Sequence, residues 1–121
     1  MKKIAIVDDE QDILNILNKF FSRKHLFDVD IYVNPQDAIN NIRTNTYDLV
    51  LTDIMMPQID GIELLKQIKD YDSSIKVIMM TAYSTLEKTL ESEKLGANDY
   101  ITKPFISLKD VENTILDNLK I

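Results

Sequence analysis

Lys3-Ile4-Ala5-Ile6-Val7-Asp8-Asp9-Glu10 decides the fold. An aliphatic run without polar alternation is the pattern of a strand covered on both faces, which is characteristic of parallel sheets. The run ends on three successive acids. From about Asp12 the period changes: Ile13, Ile16, Leu17, Phe20 and Phe21 keep three-and-four spacing, with Lys19, Arg23 and Lys24 towards the end. That is an amphipathic helix with cations where its dipole favours them. His25, the single histidine, lies beside those cations and reads as a surface residue rather than a ligand. The alternation then repeats. Val29–Val33 is a second strand, and Asn34-Pro35 opens a helix through Ala38, Ile39 and Ile42, with Asn34 as cap and Pro35 in the first turn. Tyr47–Asp53 is a third strand, and Gly61 to about Asp70 a third helix through Ile62, Leu65 and Ile68. Ile75–Met80 and Asn98–Thr102 are the last strands, and Leu108–Leu119 the last helix. Thr85–Leu95 reads as helical, but its large apolar residues are only Leu86, Leu90 and Leu95, so it is expected to be weakly anchored. Strands alternating with helices in this way imply an α/β, doubly wound parallel sheet with right-handed crossovers and helices on both faces. Ligands of such folds bind beyond the carboxyl ends of the strands.

The 121 residues suit one domain spanning 1–121, and 45% hydrophobic content is enough for a buried core. Having no cysteine excludes a disulfide framework, a thiolate metal site and a cysteine nucleophile. Fourteen Lys and Arg against twenty Asp and Glu leave a net charge of −6. That balance argues against direct nucleic-acid binding and fits a cation pocket or a partner with a basic face. Neither a signal peptide nor an apolar run of about 18 residues is present, so no membrane association and a cytoplasmic location are expected.

The residues at the predicted strand ends carry the chemistry. Strand one ends in Asp8-Asp9, strand three in Asp53, strand four in Thr81-Ala82, and strand five is followed by Lys103-Pro104. Any one of them alone reads as a cap, a turn or a solvated charge. Together they converge on one edge of the sheet. Two carboxylates about 5 Å apart repel by roughly 3 kcal/mol at an effective dielectric of 20, so gathering three calls for a compensating cation. Lys103 supplies one charge. An oxygen-only donor set points to a hard ion, and magnesium, which takes one or two carboxylates plus phosphate oxygens, fits better than calcium. Such a pocket suits phosphoryl transfer, with a carboxylate as nucleophile and a lysine and a hydroxyl steadying the moving oxygens.

Four motifs now stand in order: Val7-Asp8-Asp9-Glu10; Leu51-Thr52-Asp53-Ile54-Met55-Met56-Pro57 through Asp60-Gly61; Met80-Thr81-Ala82; and Asp99-Tyr100-Ile101-Thr102-Lys103-Pro104-Phe105. The chain thereby resembles the receiver domains of two-component response regulators over essentially its whole length. The resemblance implies a flavodoxin-like sheet in strand order 2-1-3-4-5, and a phosphoacceptor signalling switch rather than an enzyme acting on an external substrate. By resemblance, Asp53 takes a phosphoryl group from a sensor histidine kinase or histidine phosphotransfer protein. Asp8 and Asp9 hold magnesium with Asp53 and the backbone carbonyl of Met55. Lys103 pairs with Asp53 and then with the phosphoryl oxygens, Thr81 moves to bond the phosphoryl group, and Tyr100 turns inward as the aromatic switch. The Lys103–Pro104 peptide is expected to be cis. Met55 and Tyr83 flank the path of the attacking water, and since neither can orient it, slow self-dephosphorylation is expected. The kinase surface is expected around the first helix and the loop after strand five. The output surface is expected on the fourth helix, fifth strand and last helix, as a monomer or a phosphorylation-promoted homodimer.

Two other aspartyl-phosphate or phosphate-binding designs fail on readable residues. A haloacid dehalogenase-type phosphatase needs a second Asp two residues after the nucleophile, where Met55 stands. A nucleotide module needs a Gly- or hydroxyl-rich loop after strand one, where three acids stand. Within the receiver family three readings are open. The chain is a stand-alone phosphorelay intermediate, favoured by the similarity of Met80-Thr81-Ala82-Tyr83 and Glu91–Ala97 to phosphorelay receivers; or a stand-alone receiver docking on a downstream protein effector; or a receiver excised from a larger transcriptional regulator or hybrid kinase.

Overall fold

A computed structural model describes residues 1–82 and 86–120. Strands β1 (Lys3–Val7), β2 (Asp28–Tyr32), β3 (Leu49–Asp53), β4 (Lys76–Thr81) and β5 (Asp99–Thr102) alternate with helices α1 (Gln11–Ser22), α2 (Pro35–Thr44), α3 (Gly61–Tyr71), α4 (Leu86–Lys94) and α5 (Leu108–Leu119). The five strands form one parallel sheet, as their apolar runs predict, in the order β2-β1-β3-β4-β5 that the resemblance implies. β1, β3 and β4 lie inside the sheet and are the most continuously apolar strands, whereas edge strand β2 is only partly buried and carries Asp28 and Asp30.

Two apolar layers sandwich the sheet. On one face α1 and α5 bury Leu14, Leu17, Phe21, Val111 and Ile115 against Ile4, Ile6, Leu49, Leu51, Ile78 and Met80. On the other face α2 and α3 bury Ala38, Ile39, Ile42, Leu64, Leu65 and Ile68 against Ala5, Val7, Val50, Val77 and Met79. Alternate residues of each central strand therefore serve opposite layers, which is why these strands read as unbroken apolar runs.

Local chemistry sets the helix starts. Asn34, Asp60 and Ser107 each accept a hydrogen bond from a backbone N–H of the first turn, capping α2, α3 and α5. One expectation needs correction. Ile16 is half exposed and lies outside the α1 core seam. His25 sits beyond the Arg23 cap in a left-handed conformation, φ 53°. α4 is weakly anchored, as its sparse apolar residues predict: Leu86 and Leu90 are 62% and 55% exposed, and the buried side chain of that helix is Ser92. The turn after α4 uses Gly96 at φ 99°, a region that other residues enter only with strain.

Candidate functional site

The carboxyl ends of β1 and β3 sit side by side, Val7 opposite Thr52, and those of β3 and β4 likewise, Asp53 opposite Met80. The next residues of β1 and β5 therefore project from the same edge. Asp8 is fully buried; its Oδ1 accepts from the Glu10 N–H at 2.9 Å and its Oδ2 from Lys103 Nζ at 2.6 Å. Lys103 Nζ also donates to Asp53 Oδ2 at 3.2 Å and to Glu10 Oε1 at 3.4 Å. Lys103 reaches this point because its backbone N–H continues the β4–β5 pairing, donating to the Thr81 carbonyl at 2.6 Å. The peptide between Lys103 and Pro104 is cis.

Burial governs the electrostatics. Desolvation pushes the Asp8 pKa up to about 6 even against the hydrogen bond from Lys103. Asp53 is raised for the same leading reason, with the Lys103 charge opposing and the Asp9 charge adding. Desolvation disfavours the Lys103 ammonium, but its hydrogen bond to Asp8 and the charges of Asp8 and Asp53 outweigh it and leave its pKa raised. The site thus holds more negative charge than its one lysine compensates.

Oxygens of Asp8, Glu10 and Asp53 lie within 4.8 Å of one another. This all-carboxylate donor set is what a hard divalent ion takes, and it fits magnesium. Asp9 lies outside that group; it is exposed and lines the same cavity. Sequence reasoning missed Glu10, although it directly follows the paired aspartates. The cavity, about 700 Å³, continues from these acids to Met55, Ile13, Ile16, Phe105 and Leu108. Met55 stands at its mouth, half exposed. Thr81 ends β4, buried, across from Thr102. Tyr100 is half-buried on β5, its hydroxyl 3.3 Å from Ser92 Oγ of α4, a partner no sequence signal announces. Tyr83 lies outside the described residues.

Comparisons with known proteins agree with this arrangement. The profile of the family described as "Response regulator receiver domain" matches residues 4–115. Sporulation initiation phosphotransferase F of Bacillus subtilis is 40% identical over 104 residues, covering 86% of this chain and 83% of that protein. Transcriptional regulatory protein ZraR of Klebsiella oxytoca is 42% identical over 101 residues, but the chain spans only 23% of its length. A response regulator receiver domain protein (CheY-like) of Methanospirillum hungatei superposes with a TM-score of 0.92 at 31% identity, covering 99% of this chain and 94% of that one. The Francisella response regulator 1452 receiver domain does so with a TM-score of 0.87 at 31% identity, over 99% and 98% of the two chains. With its strand order, its acidic edge and these matches, the chain belongs to the response regulator receiver domain family of two-component signalling.

Proposed function

We propose that residues 1–121 act as one receiver unit whose phosphoacceptor is Asp53. The observation that carries this reading is the cluster in which Asp8, Glu10 and Asp53 converge on Lys103, with Glu10, Asp53 and Lys103 lining one cavity. Asp53 is the only one of these carboxylates that combines a half-buried position at a strand end with access to the cavity, which supports it as the attacking group. A carboxylate oxygen of Asp53 forms a bond to phosphorus as the P–N bond of a partner's phosphohistidine breaks. The electron pair returns to the imidazole nitrogen, which then takes up a proton. Asp8, Asp53 and the flanking acids Asp9 and Glu10, with the Met55 carbonyl, would hold magnesium. When bound there, the ion supplies charge neutralisation for the phosphoryl oxygens. Lys103 follows the charge from the Asp53 carboxylate to the phosphoryl group. Thr81 moves to bond that group, drawing in the loop after β4, and Tyr100 turns inward behind it. The result biases the face formed by α4, β5 and α5.

The donor is a sensor histidine kinase or histidine phosphotransfer protein. Its docking surface is supported by the apolar cavity wall of Ile13, Ile16, Phe105 and Leu108, beside the acids. The phosphotransferase relative, matched over most of its length, favours a phosphorelay role, and the net charge of −6 argues against direct nucleic-acid contact. A second reading, a receiver cut from a longer transcriptional regulator, is supported by relatives such as ZraR that the chain covers only in part. Intact mass after incubation with magnesium and acetyl phosphate tests the reading. Wild type is expected to gain one phosphoryl group and Asp53→Ala none. A wild type that gains none, and that also fails to bind beryllofluoride, overturns it.

A further inference from the structure

α4 is held to the rest of the molecule by very little apolar surface. Leu86 and Leu90 face solvent, and Ser92 is its only buried side chain among the described residues. Polar contacts take over that work. At the C-terminal half Ser92 meets the Tyr100 hydroxyl. In the first turn Lys88 Nζ donates to Asp60 Oδ2 at 2.9 Å.

Asp60 is an unusual anchor because both of its oxygens are committed. Oδ1 accepts from the Glu63 N–H at 3.0 Å and caps α3, while Oδ2 takes Lys88. The residue after it, Gly61, donates its N–H to the Ile54 carbonyl at 2.7 Å, so the start of α3 is fastened to the backbone immediately after Asp53. Lys88 in turn lies a few residues beyond Thr81, in the first turn of α4. The ion pair therefore bridges the two segments that leave the phosphoacceptor and the switch threonine.

We infer that Lys88 is a positioning residue for the switch: its ion pair with Asp60 straps α4 in the unphosphorylated arrangement and lets go when the loop after β4 is drawn towards Asp53. This rests on the phosphoacceptor reading above. A cavity of about 380 Å³ opens between α3 and α4 beside the strap, lined by Asp60, Ile62, Glu63, Lys66, Lys88 and Glu91, so the helix has room to shift. Glu91, one turn along α4 from Lys88, offers the ammonium an alternative acceptor on its own helix. Glu91 stays beside Lys88 on the same helix in either arrangement, so it does not bias the switch, and the contact with Asp60 alone does. Both partners are partly exposed, with side chains 39% and 34% accessible, so the strap has the modest strength suited to setting a poise.

Linkage makes this measurable. A contact present only in the unphosphorylated arrangement weakens binding of any ligand that favours the other one, and its removal strengthens that binding by the same factor. The full chain is titrated with beryllofluoride in magnesium chloride while amide spectra are recorded. Lys88→Met is expected to bind about two- to five-fold more tightly than wild type, the range of an exposed ion pair. Its unliganded α4 and β5 resonances are expected to lie part-way towards the liganded wild type. Lys88→Arg restores wild-type behaviour. Asp60→Asn, which keeps an oxygen for the α3 cap, follows Lys88→Met, and the gap closes in high salt. Unchanged or weaker binding by Lys88→Met, with spectral changes confined to its neighbours, overturns the strap alone. Absence of binding by the wild type overturns the phosphoacceptor reading and the strap with it.

Discussion

At the scale of single residues, the site is costly to fold because it confines carboxylates away from water. Asp8 is the extreme case: fully buried, it keeps its proton to about pH 6, where the unfolded chain has released it near 3.8. A carboxylate with a raised folded-state pKa stabilises least when ionised, so its contribution falls as pH rises through the window from about 4 to 6. Asp8→Asn removes that penalty, and Lys103 keeps Asp53 and Glu10 as partners. In metal-free buffer the variant is expected to exceed wild type by about 1–3 kcal/mol at pH 7, after discounting for screening, and to converge with it at pH 4. Urea midpoints at the two pH values measure this; an equal gap at both would show that Asp8 ionisation is not its source. Met55 carries a different prediction. Its half-exposed side chain at the cavity mouth has no group to orient an attacking water, and Tyr83 has no carboxylate or amide either. Met55→Asn with Tyr83→Glu is expected to shorten the phosphoryl lifetime about tenfold or more, below the usual range for fully positioned acid–base assistance. Decay of the phosphorylated intact mass tracks it directly, and an unchanged lifetime would mean that the two side chains only pack the rim.

At the scale of elements, two junctions decide how rigidly the site is held. The first is where α3 meets β3. A Cβ on Gly61 would sit on the Asp53 carbonyl oxygen and 2.8 Å from Ile54 Cα, and backbone atoms cannot yield as a side chain would. Gly61→Ala is therefore expected to cost about 3 kcal/mol and to slow phosphorylation as well, since the displaced atoms belong to Asp53, the proposed phosphoacceptor. Thermal unfolding and phosphorylation rate, measured on the same sample, separate this from a general loss of fold. The second junction ties the end of α1 to α5. Glu112, 2% exposed, accepts from Lys24 Nζ at 2.8 Å and from Lys109 Nζ at 3.4 Å. The Lys24 hydrogen bond outweighs desolvation and lowers the Glu112 pKa below its ordinary 4.5. With a depressed folded-state pKa the sign reverses relative to Asp8: the stabilisation is complete above about 4.5 and disappears as pH falls through the folded value. Lys24→Met leaves a buried carboxylate short of a partner and is expected to cost about 1–2 kcal/mol at pH 7, less than for a fully buried pair because Lys24 is partly exposed. Adding Glu112→Leu is expected to return part of it. A double variant less stable than the single one would show that the carboxylate is satisfied without Lys24.

At the scale of the whole molecule, most of the sheet and most of the site were legible because both depend on where the strands end. Apolar runs mark the central strands, and the residues just past them land on one edge; hence Asp8, Asp53 and Lys103 come together, while Thr81 ends the neighbouring strand β4. The features that were not legible depend on orientation rather than spacing. Leu86 and Leu90, four apart, announce a common face of α4 but not which way it points, and it points outward, leaving Ser92 inside. Glu10 could not be ranked against Asp9, since adjacent loop acids have no period to sort them, and the Lys24–Glu112 pair joins positions far apart in sequence. The balance of charge over the molecule also yields a prediction about cations. A chain of net charge −6 gains from any salt through screening, whereas a site in which Asp8, Glu10 and Asp53 crowd one lysine gains from a bound divalent ion by mass action. The two contributions separate experimentally. At matched ionic strength, magnesium chloride is expected to raise Tm above the value in sodium chloride, by an increment worth about 2.7 kcal/mol when the ion is about a hundredfold above its dissociation constant. Asp53→Asn is expected to start from a higher metal-free Tm, because one buried charge is gone, and to lose most of the magnesium-specific rise while keeping the sodium response. Equal responses to the two salts in wild type would assign the whole effect to screening and leave the carboxylate cluster without a resident ion.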